Sequence, residues 1–275
     1  MNEDMMSILD YLTEMRGVDF HGYRASMIER RVTQGFSSVC CQNAGEYLIY
    51  LKENSNELDY LLDRLTINVS QFFRDPLIFE VIADRILPEM VYLKKERHNH
   101  SLRIWSAGCS MGEEPYSVAM LLREFLNKET LDADIRVFGT DIDIGILKKA
   151  ENALYAFESV KNVKYGLLKK YFTIQGELFQ LSPEIRNMVS FSRYDVLDTK
   201  HIAPPESIFG SFDIVLCRNL LIYFTPSYQM QILDKLSKTL CSNGYLILGD
   251  VESLPEKYRP RFHTKMEQCH IYQKR

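Results

Sequence analysis

The residues best suited to chemistry lie in the stretch Ser106-Ala107-Gly108-Cys109-Ser110-Met111-Gly112-Glu113-Glu114-Pro115. A short apolar run, Leu102–Trp105, predicts a strand before it, and the apolar spacing from Val118 onward predicts a helix after it. Glycines at such a turn let a ligand approach the backbone, and the new helix offers unpaired N–H groups. The acid pair favours a ligand with hydroxyls or positive charge over a pyrophosphate. We therefore expect a cofactor turn here.

The same stretch also matches the G-x-S-x-G nucleophile elbow of α/β-hydrolases, with Ser110 as the nucleophile. That elbow needs an acid and a histidine on later loops, and His201, His263 and His270 are available without a distinctive neighbourhood. A nucleotide-type cofactor site needs instead an acid at the end of the next strand, where it binds ribose hydroxyls. Asp141 occupies that position, which favours the cofactor interpretation.

Two further predicted strands end in polar loops. Tyr194-Asp195-Val196-Leu197 offers a carboxylate and backbone groups that could read an adenine edge. Cys217-Arg218-Asn219-Leu220-Leu221-Ile222-Tyr223-Phe224 supplies an arginine, an amide and a phenol. Because parallel strands carry their sites at their carboxyl ends, these loops and Asp141 are expected to share one crevice. For Asp143, a helix N-cap is the better interpretation.

Composition limits the classes of protein that this chain can be. It has 275 residues, 46% of them hydrophobic, with thirteen glycines and nine prolines, so it should bury a large core. The net charge of −4 implies no global attraction to nucleic acid or to a membrane surface. The absence of a basic leader and of a long apolar run predicts a cytoplasmic protein without membrane insertion. Six cysteines without a C-x-x-C pair indicate neither disulfides nor a metal site.

The periodicity changes along the chain. Residues 1–75 predict a helical domain, and residues 76–100 predict a linker helix kinked or stopped near Pro88. Residues 101–275 alternate strands and helices, which is typical of an α/β domain with a mainly parallel sheet. The segment around 165–190 departs from this rhythm and predicts a small antiparallel β insert with a turn at Gly176. The predicted strands of the main sheet are Leu102–Trp105, Ile135–Thr140, Met188–Ser192, Phe212–Cys217, Gly244–Leu248 and Cys269–Gln273.

Four ordered motifs resemble those of the CheR chemotaxis methyltransferases. They are Asn68-Val69-Ser70-Gln71-Phe72-Phe73-Arg74, Ser106 to Ser117, Thr140-Asp141-Ile142-Asp143 and Cys217 to Phe224. The resemblance spans nearly the whole chain, and Gly17-Val18-Asp19-Phe20 is similar to the family's helical N-terminal domain. It implies a Rossmann-like methyltransferase sheet, with the hairpin as the family's β-subdomain.

The resemblance also implies a reaction. S-adenosylmethionine would be the cofactor, S-adenosylhomocysteine the product, and glutamate side chains of a chemoreceptor's cytoplasmic domain the acceptors. Arg74 and Tyr223 would stand nearest the transferred methyl group as catalytic residues. The cofactor site would be lined by Asn68, Ser70, Arg74, Gly108, Glu114, Asp141, Asp195, Val196, Arg218 and Asn219. We expect a monomer.

The chain departs from the family pattern at several positions. Ser70 replaces a threonine but keeps the hydroxyl, and Asp195 stands where an asparagine is common. Gly249-Asp250-Val251-Glu252-Ser253 differs from the expected Gly-His-Ser-Glu, and Val32-Thr33-Gln34-Gly35 has fewer basic residues than the family's receptor-facing helix. Two alternatives therefore stay open. The acceptor could be another signalling protein, or the chain could be a cofactor-binding signalling module without activity.

Overall fold

The computed structural model describes residues 1–66, 69–96, 101–129, 134–207 and 211–275. The chain divides into two compact units. The first contains Met1–Asn68 and the segment Ile222–Gln231, and the second contains Val69–Leu221 and Ile232–Arg275. The division falls after residue 68, whereas the sequence pattern predicted a boundary at residue 75.

The first unit is helical, as the sequence predicted. Its helices are α1 (Glu3–Arg16), α2 (Ala25–Ser38), α3 (Ala44–Glu53) and α4 (Ser55–Leu65). Helix α1 ends at Gly17, whose φ of 65° is the left-handed conformation that glycine adopts without strain. The apolar faces of the four helices form its core, which includes Ile8, Leu12, Ile28, Tyr47, Leu58 and Leu61.

The segment Ile222–Gln231 belongs to this helical unit although it lies far along the chain. The backbone N–H of Arg24 donates to the carbonyl oxygen of Tyr223 at 2.8 Å. The ring centroids of Tyr23 and Phe224 lie 4.5 Å apart. Tyr223 is therefore anchored to the helical unit.

The second unit is built on a seven-stranded sheet with a smaller sheet beside it. Its strands are β1 (Ser101–Ala107), β2 (Asp134–Asp141), β3 (Leu154–Tyr155), β4 (Phe172–Gln175), β5 (Leu178–Leu181), β6 (Val189–Arg193), β7 (Phe212–Cys217), β8 (Leu240–Leu248), β9 (Phe262–Met266) and β10 (Ile271–Lys274).

The main sheet has the strand order β6-β2-β1-β7-β8-β10-β9. The first five of these strands run parallel to one another, and β10 is antiparallel to both β8 and β9. The mainly parallel sheet is thus confirmed. The prediction missed β9, because its central residues His263, Thr264 and Lys265 are exposed and polar and give no apolar strand pattern.

Helices pack against the two sheets and connect their strands. They are α5 (Pro76–Val81), α6 (Leu87–Glu96), α7 (Glu113–Glu129), α8 (Ile144–Asn152), α9 (Phe157–Val160), α10 (Tyr165–Tyr171), α11 (Pro183–Arg186) and α12 (Pro226–Thr239), of which α12 begins in the helical unit. A π-helical turn, Ile82–Ile86, separates α5 from α6. It ends two residues before Pro88, which lacks the N–H that a regular helix needs. The helical run continues through Pro88 in α6, so the helix does not stop there.

The predicted β insert is also confirmed, as a three-stranded sheet of order β3-β5-β4. Strands β4 and β5 form an antiparallel hairpin whose turn contains Gly176 with a φ of 63°. The sequence predicted the hairpin but not β3, which has only two residues. Within the described part of the chain, no helix is both long and apolar enough to cross a membrane.

Candidate functional site

The turn after β1 folds back on β2. The backbone N–H groups of Gly108 and Cys109 donate to the carbonyl oxygen of Thr140 at 2.8 and 2.9 Å. Gly108 and Gly112 have φ values of 72° and 85°, and Ser110 adopts 51°, a conformation that costs free energy for a residue with a side chain. The strained turn is therefore held in place by the neighbouring strand.

Asp141 closes this turn from the carboxyl end of β2. One carboxylate oxygen accepts the N–H of Ser110 at 2.9 Å, and the other accepts the N–H of Asp143 at 3.2 Å. Burial raises the pKa of Asp141, while the hydrogen bonds from the Ser110 and Asp143 backbone act in the opposite direction. Each oxygen keeps a lone pair for a ligand.

Asp143 caps the next helix, as predicted. Its carboxylate oxygen accepts the N–H of Ile146 at 3.1 Å at the start of α8. This bond satisfies one of the free N–H groups of the helix terminus.

A buried ion cluster lies on the other side of the turn. The Arg218 side chain is 1% exposed, and its Nη atoms lie 3.0 Å from Glu114 and 2.7 Å from Asp75. It also donates to the carbonyl oxygen of Arg74 at 2.9 Å. The second oxygen of Glu114 accepts the hydroxyl of Ser106 at 2.7 Å. One guanidinium thus ties together the helix after β1, the loop after β7 and the segment before α5.

That last segment, residues 69–75, carries two further strained residues. Phe73 and Asp75 have φ values of 53° and 58°. The N–H of Phe73 donates to the hydroxyl of Ser117 at 3.0 Å. Phe72 is fully buried and packs edge-on against the rings of Tyr155 and Phe172. The aromatic pair therefore anchors the segment in the core.

Arg74, between the two strained residues, is only partly buried. Its Nη1 donates to the carbonyl oxygen of Val69 at 3.2 Å, and it forms no ion pair with any described residue. Ser70 lies in the same segment. Asn68, which the sequence also predicted as a cofactor residue, lies outside the described residues.

Asp195 and Val196 follow β6. The N–H of Tyr194 donates to the carbonyl oxygen of Asp141 at 3.0 Å, which joins this loop to the end of β2. A carboxylate oxygen of Asp195 accepts the N–H of Leu197 at 2.8 Å. Val196 is buried. The loop thus presents a fixed backbone beside Asp141.

Most of the predicted site residues lie at one edge of the sheet. The carboxyl ends of four adjacent strands, in the order β6-β2-β1-β7, carry Asp195, Asp141, Gly108 and Arg218. In the strand order, β2 and β6 lie on one side of β1, and β7 and β8 lie on the other side. The strand order therefore reverses direction between β1 and β7, which is the topological switch point. Tyr223 belongs to the helical unit.

Sequence reasoning missed Glu113, the buried acid beside Glu114. Its side chain is 1% exposed, and Ser159 lies 3.4 Å from one of its oxygens. Its other oxygen has no hydrogen-bond partner among the described residues. Burial raises the pKa of Glu113 from 4.5 to about 7. The acid pair was visible in the sequence, but nothing in the pattern separates the buried acid from the ion-paired one.

The raised pKa makes stability depend on pH. Between pH 4.5 and about 7 the folded chain keeps a proton on Glu113 that the unfolded chain has released, so stability falls as the pH rises through this window. Glu113→Gln should remove this loss. The free energy of unfolding of the variant, taken relative to that of wild type, should therefore rise by up to about 3 kcal/mol between pH 5 and pH 8. Urea denaturation at both pH values measures the difference.

Glu158→Gln is the matched control, because the Glu158 side chain is 78% exposed. Its difference from wild type should be the same at pH 5 and pH 8. An equally flat difference for Glu113→Gln would contradict the assignment.

Two orphaned polar atoms show what the site could hold. The Ser110 hydroxyl and the Arg218 Nε are buried without a hydrogen-bond partner in the described chain. Both atoms belong to residues next to the glycine turn, where an added Cβ on Gly108 would meet the Leu220 side chain at 3.0 Å, so the turn packs closely against the loop after β7. Asp141 and Glu114 supply negative charge at this edge. These residues fit a nucleoside cofactor without phosphates, such as S-adenosylmethionine.

The hydrolase interpretation has no support from the geometry. The Ser110 hydroxyl contacts no histidine in the described part of the chain. His201 instead lies 2.7 Å from Asp198 with its side chain 65% exposed. A Rossmann-like sheet with a glycine turn and carboxylates at its switch point is the arrangement expected of the S-adenosylmethionine-dependent methyltransferases.

Comparison with known proteins identifies the family within this class. Residues 68–270 match the family described as "CheR methyltransferase, SAM binding domain", and residues 3–66 match "CheR methyltransferase, all-alpha domain". The chain belongs to the CheR methyltransferase family.

Curated relatives agree with this assignment. The chain is 30% identical to "Chemotaxis protein methyltransferase" of Borreliella burgdorferi, over 86% of this chain and 83% of that protein. It is 31% identical to "Chemotaxis protein methyltransferase 2" of Vibrio cholerae, over 95% and 89%. It is 31% identical to the Escherichia coli "Chemotaxis protein methyltransferase", over 90% and 82%. The similarity thus extends over both units.

Proposed function

We propose that this chain methylates glutamate side chains on the cytoplasmic domain of a chemoreceptor, giving γ-glutamyl methyl esters and S-adenosylhomocysteine. The observation that carries the proposal is the set of contacts at the switch point, where Asp141 accepts the N–H of Ser110 in the glycine turn and Arg218 binds Glu114. The names of the curated relatives support a role in chemotaxis.

Each part of the cofactor has a proposed partner at this edge. Asp141 would bind the ribose hydroxyls, because each of its oxygens accepts one backbone N–H, from Ser110 or from Asp143, and retains acceptor capacity. The Asp195–Val196 loop would read the adenine edge. Glu114 would face the positively charged end of the cofactor, and Ser70 and Asn219 would complete the lining.

The reaction needs little from the protein beyond positioning. When bound, S-adenosylmethionine supplies a methyl group on a positively charged sulfur. The acceptor carboxylate is already ionised at pH 7, so no residue has to act as a general base. Arg74 would orient the cofactor carboxylate or the acceptor, since a guanidinium offers a rigid two-point contact to either. The Tyr223 phenol would hold the acceptor oxygen, and water would be excluded around it.

Arg74→Ala and Tyr223→Phe are each expected to lower turnover about tenfold through lost orientation, with little change in thermal stability. Single-turnover methylation with the variants at saturating cofactor measures the loss. Arg136→Ala is the control, because its side chain is 62% exposed on β2 and takes no part in the proposed site. Wild-type rates for both site variants would remove Arg74 and Tyr223 from the reaction.

The function itself is tested with tritiated S-adenosylmethionine and membranes that contain chemoreceptors. Label released from the receptor by mild base as methanol supports the proposal, because methyl esters are base-labile. Base-labile label on a different protein would show that the acceptor is a protein other than a chemoreceptor. Cofactor binding without any transfer would indicate a non-catalytic signalling module.

A further inference from the structure

Glu252 is a buried acid in the turn that follows β8. The residue is 4% exposed. One carboxylate oxygen, Oε2, accepts the N–H of Gly249 at 2.8 Å and the N–H of Asn219 at 2.9 Å. The turn is closed by a bond from the N–H of Glu252 to the carbonyl oxygen of Gly249 at 2.9 Å. A single carboxylate oxygen thus links the loop after β8 to the loop after β7.

Asn219 needs such a link because its backbone is strained. Its φ is 56°, a left-handed conformation that asparagine tolerates better than most residues but still at a cost in free energy. The residue directly follows Arg218, whose guanidinium binds Glu114 and Asp75. A relaxed Asn219 backbone would therefore turn the Arg218 side chain away from the cofactor edge.

The approach of the two loops is specific to this pair. An added Cβ on Gly249 would lie 2.7 Å from both the Asn219 nitrogen and the Glu252 oxygen, so only glycine permits the contact. Burying a carboxylate is costly, and its hydrogen bonds to two backbone N–H groups offset that cost. An apolar residue at position 252 would leave both N–H groups unpaired.

We propose that Glu252 is a positioning residue of the cofactor site, which holds Asn219 and through it Arg218 without itself touching the cofactor. The proposal rests on the proposed function, since it concerns the same site. It gives the loop of residues 249–253, which departs from the family pattern at Asp250 and Val251, a role that depends on Gly249 and Glu252 alone.

The test is the affinity for S-adenosylhomocysteine, measured by calorimetry on the full chain. Glu252→Ala is expected to raise the Kd about tenfold and to raise the KM for S-adenosylmethionine by a similar factor, with kcat within threefold. Glu252→Gln should restore the affinity to within threefold of wild type, because its amide oxygen can accept both N–H groups. If Glu252→Ala does not fold, Glu252→Asp takes its place in the comparison, because the shorter side chain withdraws the carboxylate by one methylene.

Asp213→Ala is the matched control at the other end of β7. Asp213 is also buried, accepts the N–H of Arg103 at 2.9 Å and pairs with Lys94 at 2.8 Å. Its loss should lower the thermal midpoint but leave the Kd within twofold of wild type. A purely structural Glu252 would behave in the same way.

The outcomes separate this inference from the function. A wild-type chain that does not bind S-adenosylhomocysteine overturns the proposed function. If wild type binds, a Glu252→Ala Kd that changes no more than that of Asp213→Ala overturns the positioning role. Equal losses for Glu252→Gln and Glu252→Ala overturn it too, because the acceptor oxygen would then not be the cause.

Discussion

Asp141→Asn should weaken S-adenosylhomocysteine binding about a hundredfold. The carboxylate can accept charge-assisted hydrogen bonds from both ribose hydroxyls, whereas the neutral amide offers only one acceptor oxygen and one donor group. The substitution keeps the size of the side chain and retains one acceptor for the strained turn at Ser110. Stability should therefore change much less than affinity. Calorimetric titration and urea denaturation on the same preparation separate the two effects.

Asp143→Ala provides the control two residues away. Asp143 caps α8, so its loss should cost about 1 kcal/mol of stability and leave the affinity unchanged. Parent-like affinity in Asp141→Asn, or an equal loss in Asp143→Ala, would rule out Asp141 as the ribose ligand.

Arg218→Met is expected to lower the free energy of unfolding by about 3–5 kcal/mol, because it leaves two carboxylates without their shared counter-ion. The larger part of this cost comes from Glu114, since its side chain is only 12% exposed, whereas that of Asp75 is 33% exposed. The stability of Arg218→Lys should fall between those of wild type and Arg218→Met, because a lysine ammonium lacks the planar fork with which the guanidinium contacts both acids. Urea denaturation measures the stability of each variant.

Neutralising the partners tests the cause of this loss. The triple variant Asp75→Asn, Glu114→Gln, Arg218→Met removes the whole charged cluster, and replacement of a complete buried cluster is often nearly neutral. It should recover more than half of the stability and still fail to bind S-adenosylhomocysteine. A loss below 1 kcal/mol in Arg218→Met alone would show that the cluster is not a stabilising element.

The sequence located this edge of the sheet because the relevant signals are local. Asp141, Asp195 and Arg218 each follow a strand directly, and parallel strands of one sheet end at a common edge. The glycine turn was equally visible, since its unusual backbone angles demand glycine at positions 108 and 112. Their roles toward the cofactor stay predictions.

Features that depend on distant partners could not be predicted. Asp75 is 143 residues from Arg218 in the chain, and its own neighbourhood suggested only a residue before a proline. Glu252 supports a loop after a different strand, and its motif appeared only as a departure from the family pattern. The position of Tyr223 in the helical unit likewise depends on hydrogen bonds to residues near position 24.

The two left-handed residues of the segment 69–75 also affect how easily the chain opens. Phe73 and Asp75 each store about 1–3 kcal/mol of backbone strain in the closed conformation. That energy is released when the segment lifts from the core, so local opening needs less free energy than the number of its contacts suggests. Amide hydrogens of this segment should therefore exchange through local fluctuations, well before the strands beneath it unfold. We therefore expect the segment 69–75 to open and reclose repeatedly while the sheet beneath it stays folded.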